Sequence, residues 1–546
     1  MRPSDRADYQ ANGVLPMAKA DGQNPRELAA ELLPVAAEAL AGVATVEVAG
    51  PGFLNLTLTD GFLAAQVAQL VGDATGGVRP AQHSETVVVD YSAPNVAKEM
   101  HVGHLRSTVI GDALVRVLTH VGHRVVRENH VGDWGTPFGM LIEHLVDVGE
   151  SDALAALSAS DLTAFYKQAR GKFDASEAFQ ERSRERVVRL QASDPETLRL
   201  WKVLIDQSAL EFQAAYDRLG VLLTPSDIVG ESFYNPMLPA VRADLDSLGL
   251  IEESDGALVV FPPGFVGREG SPLPVIVQNS QGGSNYATTD LATVRDRVGR
   301  VGATWLIYVV GAPQAQHFAM VWKVCELAGW LAPPARCVHV PFGNVLGEDK
   351  KMLRTRSGET FRLSDLIDEA IERADQAVAD KNPDIVGDER RAVAEAIGLG
   401  AVKYADLSND RVKDYVFSFD RMLAFEGNTA PYLQYAHARI NSILRKANSP
   451  AGTIVLGEPQ ERALALALVG FDGAVWDTID KLGPHRLCTY LFELAQAFTA
   501  FYEACPVLKD GVPPSVRASR LALCSLTADI LNIGLGLLGI TAPERM

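Results

Sequence analysis

The sequence predicts a multidomain α/β protein: a doubly wound parallel sheet, preceded by a small α+β module and followed by an all-helical region. Three observations carry this expectation. The β-branched run Thr86-Val87-Val88-Val89-Asp90-Tyr91 leads through a polar loop into a helical pattern, Val109 to His120, and a second strand, His123 to Asn129. Strand, helix and strand at this spacing form a βαβ unit, which implies parallel pairing. The apolar run Thr304 to Val310, the amphipathic segment His317 to Gly329 and a further strand, Cys337 to Pro341, then resume the same sheet. Beyond residue 360 helical periodicity recurs with few strand signals, over Leu363–Asp380, Glu389–Tyr404, Tyr432–Asn448, Glu461–Ile479, Arg486–Glu503 and Ser519–Leu538.

Ahead of the sheet, Pro25 to Ala41 reads as a helix, and Ala44–Val48 and Gly52–Leu58 read as two short strands around a Pro-Gly turn. Residues 150 to about 270 are read as mostly charged helices, ending in the Pro- and Gly-rich stretch Phe261 to Pro274, inserted between the sheet halves. These readings divide the chain into an N-terminal α+β module (1–80), a sheet domain (81–360) carrying that insertion, a helical connecting region (361–414) and a C-terminal helical bundle (415–546). No internal repeat or low-complexity tract interrupts them.

The 546 residues are 47% hydrophobic and 22% charged, a balance that excludes disordered and fibrous classes. No run of about 18 uncharged apolar residues is present, so no membrane span is expected. Fifty basic against 68 acidic residues leave a formal charge of −18, so a polyanionic partner must be held by local basic positions against a repulsive field. Five scattered cysteines without a C-x-x-C pair, and a polar start with no apolar core, predict a cytoplasmic protein.

The strongest local chemical signal is His101-Val102-Gly103-His104, at the mouth of the helix that follows the first parallel strand. Free amides and the positive end of the helix dipole favour a bound anion there, and two imidazoles three residues apart share one side of the first turn. Gly103 between them leaves room for a flat ring such as adenine against the backbone. In open α/β sheets this crevice is where ligands bind. A metal pair is disfavoured, because no third Cys, His or carboxylate lies at ligand spacing.

The context is more specific than the four residues. Ser92-Ala93-Pro94-Asn95-Val96-Ala97-Lys98-Glu99-Met100-His101-Val102-Gly103-His104-Leu105-Arg106-Ser107-Thr108 and Asn129-His130-Val131-Gly132-Asp133-Trp134-Gly135 closely resemble class I arginyl-tRNA synthetases. The likeness continues through Tyr286-Ala287-Thr288-Thr289-Asp290, Gln314-Ala315-Gln316-His317-Phe318, the loop Lys350 to Gly358, Pro431 to Arg439 and the ending Leu538 to Met546, so it covers nearly the whole chain. The resemblance implies a Rossmann-like nucleotide-binding sheet, a tRNA-binding N-terminal module and an anticodon-binding C-terminal bundle. It implies attack of the arginine carboxylate on the α-phosphorus of ATP, giving arginyl-adenylate and pyrophosphate, then transfer to the 3′ end of tRNA(Arg). It also implies Mg2+ accompanying the triphosphate, with no protein ligands identified, and a monomer.

Carried over residue by residue, the resemblance places His101, His104 and Lys98 on the phosphates, with Gly103 and His317 on the nucleotide. Lys351 and Arg354 belong to the second ATP-handling loop. That loop departs from the family's K-M-S-K-S pattern, since Arg354 stands for the second lysine and Leu353 for the first serine. In arginyl enzymes with such a loop the lysine before the first histidine compensates, which fits Lys98. Asp290, Tyr286 and Gln314 are assigned to the guanidinium, whose planar fork matches a carboxylate, and Asn95 and Asn129 to the amino and carboxylate ends of arginine. Phe53 and Asn55 are expected on the tRNA D-loop, and Tyr432, Tyr435, Arg439 and the chain end at Met546 at the anticodon.

Family members carry roughly one more helix before the equivalent of Ala7-Asp8-Tyr9-Gln10, so either translation starts upstream or the module is trimmed. The alternatives are a nucleotidyltransferase sharing the phosphate site, a tRNA-binding paralogue without arginyl transfer, and a class I synthetase for another amino acid. The long helical C-terminal region weighs against the first, and intact Lys98, His101, His104 and Asp290 against the second. Tyr286 with Asp290 and the altered loop favour arginine over other amino acids.

Overall fold

A computed structural model describes residues 2–4, 6–96, 98–150, 162–354, 361–447 and 450–546. Thr355 to Gly358 of the basic loop, Ala97 and the start of the 150–270 insertion lie outside the described residues. The central sheet is parallel, in the order Arg336–His339, Trp305–Tyr308, Thr86–Asp90, Arg124–Glu128. From Thr86–Asp90 the chain moves outward to one side first and returns later to build the other, so the direction of winding reverses between Thr86–Asp90 and Trp305–Tyr308. Each strand is shorter than the apolar run that predicts it, although residues just beyond the ends still bond across, as the Tyr91 N–H does to the Glu128 carbonyl at 3.1 Å and the Val309 N–H to the Asp90 carbonyl at 2.9 Å.

The unbroken apolar runs are explained by burial on both faces. Val87, Val89 and Ile307 enter one core with the helix Val102–His120 and the C-terminal helices. Their neighbours Val88, Leu306 and Tyr308 enter a second core with the helices Tyr286–Gly299 and Ala315–Leu327. The period of two along each strand thus divides one β-branched segment between two cores. Gly111 lets the central helix touch the sheet, since a Cβ there would lie 2.3 Å from the Tyr91 side chain.

Two expectations are corrected. The insertion, expected to be mostly helical, also carries strands: after Leu162–Ala175, Glu177–Gln191, Pro195–Leu219 and Leu238–Ser247 come Glu252–Ser254 and Ala257–Val260, which form an antiparallel sheet with Val275–Gln278 beyond the expected end of the segment. These strands are three or four residues long and bounded by Gly and Pro, too short for a periodicity to show. The run Glu461–Ile479 is two helices, Pro459–Val469 and Phe471–Lys481, that meet at Gly470 and turn Phe471 into the core.

The N-terminal module is a four-stranded antiparallel sheet, to which Arg2–Ser4 and Ala7–Ala11 add two strands the sequence reading did not include. It is fastened to the C-terminal bundle by Arg462, whose guanidinium bonds both oxygens of Asp8 at 2.9 and 2.6 Å and reaches Asp60 at 3.0 Å. The helix Pro514–Leu537 is long and apolar enough to cross a bilayer, yet 72% of its apolar window is buried inside the fold. It is a core helix of the bundle.

Candidate active site

The crevice opens at the carboxyl ends of Thr86–Asp90 and Trp305–Tyr308, where the winding reverses. Beneath it Arg297, fully buried, bonds Glu128 at 2.6 Å and Asp90 at 2.8 Å, tying together the ends of two strands. Directly after Asp90 the backbone takes two consecutive left-handed residues, Ser92 (φ 74°) and Ala93 (φ 46°). Such conformations cost on the order of 1 kcal/mol or more each for non-glycine residues and persist only when neighbours hold them. The Ser92 N–H donates to Ser107 Oγ at 2.9 Å, and the Ala93 N–H to Asn129 Oδ1 at 2.9 Å. The turn aims the chain into the His101 segment.

His101 is the N-cap of Val102–His120, and the two histidines cap each other's turn. The Gly103 N–H donates to His101 Nδ1 at 3.0 Å, the His101 N–H donates to His104 Nδ1 at 3.1 Å, and the rings lie 4.0 Å apart. A ring nitrogen that accepts an amide proton cannot carry one, so each neutral imidazole keeps its proton on Nε2. Burial, then the neighbouring charges of His101 and Lys98, push His104 down to about 3; burial and Lys98 lower His101 as well. The pair therefore offers two neutral N–H donors, and positive charge must come from elsewhere. Gly103 is needed because a Cβ there would sit 2.7 Å from the His101 ring.

Lys98 stands beside the pair, its ammonium 4.4 Å from the centre of the Tyr166 ring in the helical insertion. The basic loop grows from the strand Val345–Leu346: the Gly347 N–H donates to the Lys351 carbonyl at 2.7 Å, and the Leu353 N–H to the Val345 carbonyl at 3.2 Å. Lys351 and Arg354 are exposed on it.

On the opposite wall, Asp290 and Tyr286 lie one turn apart on Tyr286–Gly299, and His317 Nε2 meets Asp290 Oδ2 at 2.6 Å. The Tyr286 ring is 63% exposed and 5.0 Å from that of His317. His317, expected on the nucleotide, is thus engaged with the Asp290 carboxylate. Gln314 is exposed at the start of the helix that carries His317. Asn95 is exposed, with its backbone bridged to Gly132. Asn129 departs from expectation: it is fully buried, its Oδ1 accepts from Ala93 and its Nδ2 donates to Tyr216 Oη at 2.9 Å. It holds the strained turn, each polar atom of the side chain already making one bond inside the protein.

Glu231 was missed. Its carboxyl is pushed up to about 7 by burial and by the nearby charges of Asp133 and Asp290, although it accepts a hydrogen bond from the Trp134 N–H. Asp133 fixes the segment by accepting from the Ser232 N–H at 2.8 Å and the Ser232 hydroxyl at 2.6 Å, and Gly230 makes room for it. No local pattern marks Glu231 among 68 acidic residues; it becomes visible only when the insertion folds against Asp290.

Among the residues assigned to RNA, Asn55 accepts from Gln10 Nε2 at 2.8 Å on the N-terminal sheet, beside half-buried Phe53. Tyr435 is 46% exposed, and Arg439 lies over the Tyr502 ring at 4.7 Å. Tyr432 packs edge-on against Phe492 at 5.6 Å. Met546 packs against the cluster of Ala374, Val378 and Ile385, and its carbonyl accepts from Asn382 at 2.8 Å.

Residues 66–419 match the family described as tRNA synthetases class I (R), catalytic domain; residues 433–546 match the DALR anticodon binding domain; residues 1–58 match the arginyl tRNA synthetase N terminal domain. The chain is 55% identical to an arginine–tRNA ligase of Thermobifida fusca, over 100% of this chain and 95% of that one. It is 49% identical to that of Edwardsiella ictaluri over the same shares. The fold is similar to arginyl-tRNA synthetase from Plasmodium falciparum (TM-score 0.85, 29% identity, 100% of this chain and 94% of that one). It is likewise similar to the Thermus thermophilus enzyme (TM-score 0.80, 26% identity, 100% and 96%). A catalytic domain, an anticodon-binding domain and an N-terminal domain that all match one family, together with half-identical relatives along the whole length, establish that the chain belongs to the class I arginyl-tRNA synthetases.

Proposed function

We propose that this chain carries out the arginine–tRNA ligation of its family through two walls of one crevice, the histidine pair on one side and a carboxylate pair on the other. An oxygen of the arginine carboxylate attacks the α-phosphorus of ATP, the bond to the bridging β-phosphate oxygen breaks, and pyrophosphate leaves. The terminal ribose hydroxyl of tRNA(Arg) then attacks the adenylate carbonyl and AMP departs.

The first step asks the protein for position and charge stabilisation. His101 and His104 donate their Nε2 protons to phosphate oxygens, Lys98 supplies the nearest cation, and Lys351 and Arg354 close over the triphosphate from their loop. Mg2+ bound to the triphosphate would share its charge. Among the described residues no group of three or more His, Cys, Asp or Glu side chains is placed to hold a metal ion.

Asp290 and Glu231 receive the guanidinium. Its arrival separates Asp290 from His317 and favours the charged form of Glu231, exchanging one proton for a paired cation. Lysine's ammonium cannot satisfy two carboxylates with the same planar set of donors, which is the basis for rejecting it. Asn95, Tyr286 and Gln314 line the remaining rim, and Asn129 positions the turn beneath it. Tyr435 and Arg439 face the anticodon, and Phe53 and Asn55 the D-loop. The protein works as a cytoplasmic monomer.

The observation that supports this reading most is the coexistence, in one crevice, of two neutral N–H donors at a helix mouth and, on the facing wall, two carboxyl groups, Asp290 and Glu231, with no Lys or Arg paired to either among the described residues. ATP–pyrophosphate exchange with each amino acid, with and without tRNA, tests it. Exchange is expected with arginine alone, and only when tRNA is added. Arginine-dependent exchange without tRNA would keep the substrate and remove the coupling to the C-terminal region. No exchange in either condition would favour a tRNA-binding paralogue without catalysis.

A further inference from the structure

Arg106 lies on the helix that begins with the histidine pair, one turn beyond His101, and its side chain is 1% exposed. Its guanidinium faces away from the crevice floor into the junction with the C-terminal half. Nε lies 3.1 Å from one oxygen of Asp406 and 3.3 Å from the other, and Nη1 donates to the Lys413 carbonyl at 3.0 Å. The group is sandwiched by aromatic rings, 5.1 Å from the centre of Tyr415 and 6.0 Å from that of Phe342.

The two aromatic partners lead to the base of the basic loop. Tyr415 pairs in parallel register with Val345, and the strand Val345–Leu346 is the stem from which Lys350 to Arg354 project. Phe342 precedes that stem, and its carbonyl accepts from the Ala312 N–H at 3.2 Å, in the segment that leads to Gln314 and His317. Gly343, next to Phe342, lets the two backbones meet, since a Cβ there would lie 2.8 Å from the Asp414 nitrogen. Asp406 ends the connecting helix Gly387–Leu407. One fully buried cation therefore joins the histidine helix, the loop stem and the connecting helix at a single point.

A buried ion pair is a weak source of stability, because the desolvation of both charges offsets most of their attraction, and apolar replacements are often as stable. Its benefit is geometric: a fork held by a carboxylate, a carbonyl and two rings admits one arrangement. We infer that Arg106 is a positioning residue for adenylate formation, which sets the distance between the two phosphate-handling elements, the His101–His104 turn and the Lys351–Arg354 loop. The inference rests on the reading of those elements given above.

Two variants test it with arginine-dependent, tRNA-supplemented ATP–pyrophosphate exchange and thermal melting. Arg106→Lys keeps the charge opposite Asp406 but loses the fork that also reaches the Lys413 carbonyl. The double variant Arg106→Met with Asp406→Leu removes both charges and leaves neither uncompensated. Each is expected to melt cooperatively and to lose about 10- to 100-fold in kcat for exchange, the range that a displacement of about 1 Å costs, while the KM for arginine stays within about twofold. Arg106→Lys is expected to retain more activity than the double variant. A folded variant with kcat at the wild-type level overturns the inference, and so does a parallel rise in KM for arginine and ATP, which a general loosening of the fold would produce. Wild-type protein without arginine-dependent exchange would instead overturn the reading of the site itself.

Discussion

The two walls of the crevice are built in opposite ways. The histidine wall is local: His101 and His104 are three residues apart, each accepts the other turn's amide proton, and Gly103 exists to let one ring fold back. The carboxylate wall is assembled from Asp133, Glu231, Asp290 and His317, which belong to a strand-following loop, the insertion and two separate helices. The local wall is preorganised by secondary structure, and burial keeps its donors neutral. The distributed wall buries carboxyl groups near one another, and the Glu231 carboxyl is raised first by that burial and then by the charges of Asp133 and Asp290, a cost that a bound cation would offset. On the function proposed above, one side meets charge that develops during the reaction and the other charge that comes with the substrate.

If that contrast is correct, the histidine wall should act on rate and the carboxylate wall on affinity. His104→Ala should slow adenylate formation by roughly 10²-fold or more, measured as arginine-dependent pyrophosphate exchange, because a donor used in the transition state disappears together with the cap on His101. Unchanged kcat would remove His104 from the chemistry. Asp290→Asn should raise the KM for arginine by about 10- to 100-fold and leave the KM for ATP within about twofold. Equal effects on both substrates would make Asp290 a residue of the fold.

Glu231 gives a test in pH. A carboxyl with a pKa near 7 is protonated below it, and only the charged form pairs with a guanidinium, so the KM for arginine should fall as pH rises through about 7. The change should reach about tenfold across one unit on either side, and Glu231→Gln should flatten it. A wild-type KM that does not move between these limits would separate Glu231 from the substrate. The smallest difference should come from the cations: Lys98→Ala is expected to slow the ATP step several-fold more than Arg354→Ala, since Lys98 stands against the histidine pair and Arg354 on an exposed loop. The reverse order would return the role to the loop.

What was legible in the chain follows the same division. The Thr86–Asp90 strand, the central helix and the His101–His104 turn could be read directly, because β-branched runs and N-caps are decided within a few residues. The antiparallel sheet of the insertion was not, since strands of three or four residues carry no period and form only when paired. Asn129 shows the limit for single residues. Its neighbours matched a substrate-binding motif, yet its two polar atoms hold the Ala93 turn and Tyr216, a role set by a helix that begins 66 residues later. Tyr432 and Tyr435 sit three residues apart on one helix, and only packing against Phe492 distinguishes the half-buried ring from the exposed one.

The amino-acid sequence by itself determined the class of fold, the histidine-capped turn and, through its motifs, the family. Each of these depends on periodicity, capping or contiguous residues, interactions whose range is shorter than one element. Tertiary structure alone decided that Glu231 joins Asp290, that His317 turns to that carboxylate, that Asn129 faces inward and that Arg106 binds the loop stem to the histidine helix. In every such case the deciding energy is the desolvation or pairing of a charge or amide by a group distant in the chain, and that term has no value until the chain is folded.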